Sequence, residues 1–68
     1  MRGNMREARR SKGLSISDVS KAIGVHGNAL ERWERGEAEP MGSNLIALSK
    51  LYECSPDRLM EQDDKRGL

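Results

Sequence analysis

Phenylalanine is absent from this sequence, and its 68 residues include one tryptophan, one tyrosine, one cysteine and one histidine. With so few aromatics, the apolar supply is Leu, Ile, Val, Met and Ala at intervals that suit helices, so an all-α fold is expected. One thiol, Cys54, rules out an internal disulfide, and together with His26 it supplies too few ligands for a structural zinc site. An intracellular chain without metal or cofactor is the expectation. No apolar run approaches the ~20 residues of a membrane-spanning helix. Arg2 and Arg6 are followed by no apolar segment of the kind a secretory signal carries. No membrane partner and a cytoplasmic location follow as expectations.

A large net charge is also lacking, the formal sum being +1. The distribution says more than the sum. Residues 1–12 hold five basic groups against one acidic, net +4, whereas residues 37–68 hold four basic against seven acidic, net −3. One end suits phosphates and the other suits solvent. No set of nucleophile, base and orienting group is visible, so neither an enzyme nor a small-molecule substrate is expected.

What the sequence does have is regular punctuation. There is no internal repeat and no low-complexity stretch, and a chain this short makes one domain with a thin core. Gly13, Gly24 and Gly36 each close a short helical stretch. The first helix is read over 5–12, capped by Asn4 with Glu7 three residues on, and it turns Met5 and Ala8 inward. The second is read over 16–23: Ser15 caps it, Asp18 completes a capping box, and Leu14 staples onto Val19 ahead of a stripe through Ala22 and Ile23. Val25 and Leu30 repeat that staple spacing, so His26 is the cap of a third helix over 27–35. A fourth is read over 43–52, with Leu45, Leu48, Leu51 and Tyr52. A fifth opens at Ser55 and Pro56 and buries Leu59. The domain is expected over 4–62, with 63–68 frayed.

Helices 16–23 and 27–35 are joined by three residues, Gly24 to His26, the connection of a helix-turn-helix. Turning about 100° per residue from Gly27 puts Gly27, Asn28, Glu31, Arg32 and Arg35 on one arc, with Ala29, Leu30 and Trp33 opposite. Trp33, in register with Leu30, is read as core, Cys54 as a small buried residue, and His26 as a hydrogen-bonding group at a cap.

Through "KGLSISDVSKAIGV", "RWERGEAEP" and "NLIALSKLYECSPDRL", in one unbroken order, the chain resembles the Cro and phage-repressor helix-turn-helix regulators over roughly residues 4–61. The resemblance implies a compact five-helix bundle of the lambda-repressor-like DNA-binding type, whose third helix enters the major groove while the second crosses the backbone. It implies a sequence-specific, DNA-binding transcriptional regulator, a repressor acting as a homodimer on two half-sites. In such a complex Asn28 can pair with adenine and Arg32 with guanine, Glu31 can accept from cytosine, and Gly27 permits close approach. Ser15, Lys21, His26 and Arg35 would touch phosphates, and Arg9 with Glu34 would form an ion pair between the first and third helices.

The sequence departs from the family pattern at four places. Ile16 stands where glutamine is common and is expected neither to reach a phosphate nor to brace the recognition helix. Glu37 replaces a basic residue, Met41 replaces a helix cap, and Glu53 stands where glycine often ends the fourth helix. With few phosphate contacts left, the alternative reading is a protein-interaction module on the same fold, antitoxin-like or accessory to a regulator.

Overall fold

A computed structural model describes residues 2–61; the expected domain end at 62 and the tail over 63–68 lie outside the described residues. Five helices follow one another: α1 (Gly3–Ser11), α2 (Ile16–Ile23), α3 (Gly27–Arg35), α4 (Gly42–Tyr52) and α5 (Pro56–Leu59). Every helix contributes to one core, made of Met5, Val19, Leu30, Trp33, Leu48, Tyr52 and Leu59. The helix α2 packs on α3 and α4, α1 packs on α3 and α5, and α5 closes against α4. Among the described residues no helix is long and apolar enough to cross a membrane.

The central pair occupies the residues expected of it, because its signals are local. Ser15 Oγ accepts from the Asp18 N–H at 3.0 Å while the Ser15 N–H donates to Asp18 Oδ2 at 2.9 Å, which completes the capping box. These bonds satisfy two donors at the start of α2 that the helix itself leaves unpaired, and they hold the Asp18 carboxyl below its usual range. Gly24 ends α2 in the left-handed conformation at φ 74°, which glycine adopts without a Cβ clash. The buried stripe of α2 runs through Ile16, Val19 and Ile23, and Ala22 is exposed instead of continuing it.

Helix α1 starts earlier than expected. Its cap is Arg2 and not Asn4, and no capping box forms with Glu7. The Asn4 amide donates instead to the Arg58 carbonyl at 3.2 Å and to Glu61 Oε1 at 2.8 Å, tying α1 to the end of the chain's described part. The cause lies at Arg2, which is only 1 % exposed. Its N–H donates to the Glu34 carbonyl at 2.8 Å, and its Nη1 donates to the carbonyls of Trp33 and Ala38 at 2.7 and 2.8 Å. A cation placed on the last carbonyls of α3 satisfies groups left unpaired at that helix end and suits the negative end of its dipole.

Helix α4 likewise begins one residue before the expected start at 43, with Met41 in the cap position making no side-chain cap bond. At its other end Glu53 takes the left-handed conformation (φ 55°, ψ 49°), the single non-glycine residue among those described to do so. Lys12 Nζ reaches Glu53 Oε1 at 3.1 Å across the surface. Ser55 caps α5 by accepting from the Arg58 N–H, and Pro56 fills the first helical position.

Candidate nucleic-acid interface

The outward face of α3 is built by its own sequence spacing. Glu31 and Arg32 lie three and four residues after Asn28, and Arg35 lies four and three after them, so all four share one side of the helix, and all four are exposed. Leu30 and Trp33 face the core on the other side. Glu34 is on that inner side too, 3 % exposed, and its partner explains why a carboxylate can be there. Arg9 Nε donates to Glu34 Oε2 at 2.7 Å and Arg9 Nη2 to Glu34 Oε1 at 3.0 Å, a two-pronged ion pair. Arg9 Nη1 adds a bond to the Leu14 carbonyl at 3.1 Å. One arginine of α1 therefore fixes both α3 and the loop leading into α2.

A second close approach lies at the opposite end of α3. A methyl group built on Gly27 would sit 3.2 Å from Ile16 Cγ2, so the first residues of α2 and α3 lie close together and a side chain at 27 would require the isoleucine to give by a few tenths of an ångström. Ile16, expected not to brace this helix, is partly buried against the core and brings its side chain close to the first residue of α3. Gly27 is half-buried against that isoleucine.

Ser15 and His26 sit at the starts of α2 and α3, exposed. Ser15 Oγ already accepts from Asp18, which leaves its hydroxyl hydrogen to donate. His26 makes no side-chain cap bond. Lys21 lies exposed in the last turn of α2.

The basic N-terminal segment does not present its charge as one patch, contrary to the expectation from its composition. Arg2 and Arg9 are buried and engaged with α3, and Lys12 is paired with Glu53. Arg6 Nε stands 3.7 Å from Glu34 Oε1. What remains is a groove of about 360 Å3 between α1, the start of α2 and α3, lined by Arg6, Arg9, Arg10, Ile16, Glu31, Glu34 and Arg35. Arg6 and Arg10 had no individual role in the sequence reading; their i, i+4 spacing on α1 is the signal that places both on one face.

Glu37 completes the electrostatics of this surface. Arg35 Nε and Nη2 donate to its two carboxylate oxygens at 3.0 and 3.3 Å, and Arg32 Nε lies 3.9 Å from Oε1. The bonds from Arg35, reinforced by the charge of Arg32, hold the Glu37 carboxyl below its usual range.

With this geometry established, comparison with known proteins gives a consistent result. Residues 5–59 match the helix-turn-helix family model. The chain is 48 % identical over 63 residues to repressor protein C2 of Salmonella phage P22, a match covering 90 % of this chain and 29 % of that protein. It is 40 % identical over 67 residues to the HTH-type transcriptional regulator DicA of Escherichia coli strain K12, covering 96 % of this chain and 43 % of the other. The chain thus spans less than half the length of these curated relatives. In three dimensions it resembles the P22 c2 repressor crystallised with the synthetic operator 9T in the presence of Tl+, with a TM-score of 0.80 and 41 % identity over 90 % of this chain and 92 % of that one.

Proposed function

The chain belongs to the helix-turn-helix family of Cro and phage-repressor type, and from that membership we propose that it binds double-stranded DNA sequence-specifically and represses transcription, with α3 in the major groove. The observation that carries this reading is the exposed polar face of α3 on a helix held from behind at both ends, by Ile16 at Gly27 and by Arg9 at Glu34. A rigid support is what base reading needs, since a bidentate contact discriminates only when its two atoms arrive together. On this reading Asn28 pairs with adenine and Arg32 with guanine, each contributing about 1–3 kcal/mol of discrimination, while Glu31 accepts from cytosine. Ser15, Lys21, His26 and Arg35 touch phosphates and set the register.

A homodimer belongs to the same proposal. Arg2 and Arg9 are spent inside the fold and Arg35 is paired with Glu37, so a single copy neutralises few phosphates and binds weakly. Met41 and Ile46, 72 % and 53 % exposed, are large apolar side chains at the cap and second turn of α4, beyond the end of α3. They offer a second copy an apolar surface, and a dimer would read two half-sites about 34 Å apart. The protein is then a binding module and not an enzyme, working in the cytoplasm.

The test is selection of bound duplexes from a random pool, followed by affinity measurements with the wild type and Arg32→Ala. A site with dyad symmetry should be enriched, log affinity should fall linearly with log salt, and Arg32→Ala should relax preference at one base pair per half-site. An equal loss on every duplex would remove Arg32 from the base readers. Absent or salt-insensitive binding would favour a protein partner instead.

A further inference from the structure

The contact between Arg35 and Glu37 is unexpected on a surface read as DNA-binding, because it spends a cation that phosphates would use. Glu37 follows Gly36, whose left-handed conformation (φ 77°) reverses the chain at the end of α3. The Glu37 N–H donates to the Arg32 carbonyl at 2.9 Å, so the residue is fastened to the helix end and is not a wandering loop charge. From that fixed position its carboxylate takes Nε and Nη2 of Arg35 and lies 3.9 Å from Nε of Arg32. A carboxylate and a phosphodiester offer a guanidinium the same two-oxygen partner.

We infer that Glu37 is an affinity-setting residue of this interface: its carboxylate occupies Arg35 in place of a DNA phosphate and holds sequence-independent binding down. The inference rests on the DNA-binding reading above. Two arginines and the Glu37 carboxylate sum to +1, and Glu31 on the same face brings the sum to zero, whichever edge of the Arg35 guanidinium a phosphate would approach. To engage DNA through Arg35 the protein must either break the two bonds to Glu37 or bring that carboxylate up to the backbone. Both cost affinity on every sequence, because Arg35 meets phosphates and not bases. The bases are left to Arg32, whose separation from Glu37 is too long for a hydrogen bond. Selectivity is thereby kept while non-specific retention on DNA is reduced, which matters to a protein searching among many competing sites.

The experiment uses the whole chain with Glu37→Gln, Arg35→Ala and the double variant, titrated against a selected duplex and an unrelated one between 50 and 200 mM salt. Glu37→Gln is expected to tighten both duplexes by a similar factor. The salt dependence should steepen by about 0.9, one further neutralised phosphate, so the gain shrinks about 3.5-fold across that salt range. In the Arg35→Ala background the gain should vanish. Wild-type binding with an unchanged slope in Glu37→Gln, or the same gain with Arg35 absent, would overturn the inference while leaving the DNA-binding reading in place. A DNA-free control follows the Glu37 carboxyl by NMR titration: Arg35→Ala should move it up toward the ordinary range, and an unmoved carboxyl also overturns the inference. No binding of any duplex by any variant would sink the DNA-binding reading, and the inference with it.

Discussion

Replacing Arg9 by methionine keeps most of the stem and deletes the guanidinium, and the consequences can be worked out from three hydrogen bonds. Glu34, 3 % exposed, loses partners at 2.7 and 3.0 Å, and the Leu14 carbonyl loses one at 3.1 Å. Removing one member of a buried pair typically costs about 3–5 kcal/mol, chiefly because the other charge is stranded. Arg6, 3.7 Å from Glu34 Oε1 and partly exposed, recovers a little of this and argues for the lower end, about 3 kcal/mol. A chain of 68 residues has a total stability of roughly 3–10 kcal/mol, so the variant should be marginal. Urea unfolding followed by the fluorescence of the buried Trp33 should show the midpoint falling by up to about 3 M, for an m of about 1 kcal/mol/M. The companion variant Arg9→Met/Glu34→Leu removes both charges and should regain most of the loss. A single variant costing under about 1 kcal/mol, or a double variant no better than the single, would refute the reasoning.

Two further predictions concern helix ends. The Asp18 carboxyl is held below its usual range by the bond from the Ser15 N–H, so its folded-state pKa is lower than its unfolded one. The stability it contributes is present above the unfolded value of about 3.9 and is lost as pH falls through the folded value. Asp18→Asn should therefore flatten the acid limb of a Tm-against-pH curve, and parallel curves for the two proteins would count against the capping role. Glu53→Gly removes the left-handed strain at the end of α4, worth about 1–2 kcal/mol, less the contribution of an exposed pair with Lys12 of about 0–1 kcal/mol. A Tm higher by about 4–8 °C is expected for a net gain near 1 kcal/mol, and a lower Tm would show the pair outweighing the strain.

The helices that carry the recognition face were legible because their determinants lie within a few residues of each end: Ser15 with Asp18, Gly24, and Gly36. The start of α1 was not legible, since it is set by Arg2 reaching carbonyls of Trp33 and Ala38 more than thirty positions along the chain. Asn4 has the chemistry of a cap but is drawn to Arg58 and Glu61 by the packing of α1 on α5. The same non-local engagement explains the charge of the N-terminal segment: composition counts cations but not which of them are spent inside. Glu37 was visible as a departure from a basic residue. That it grips Arg35 depends on the turn at Gly36 and on side-chain geometry, which spacing alone does not supply.

The meeting of Ile16 with Gly27 has a consequence for protein engineering. Sequence preference in such proteins is an obvious thing to transplant by exchanging the recognition helix alone, residues 27–35, between relatives. Here that segment is not a separable cassette. A donor helix bringing a side chain at 27 would put its Cβ 3.2 Å from Ile16 Cγ2, so that either the isoleucine gives way by a few tenths of an ångström or the start of α3 shifts. Positions 16 and 27 are therefore best exchanged together across the two helices, so that the packing of α3 on α2 is carried over with the graft.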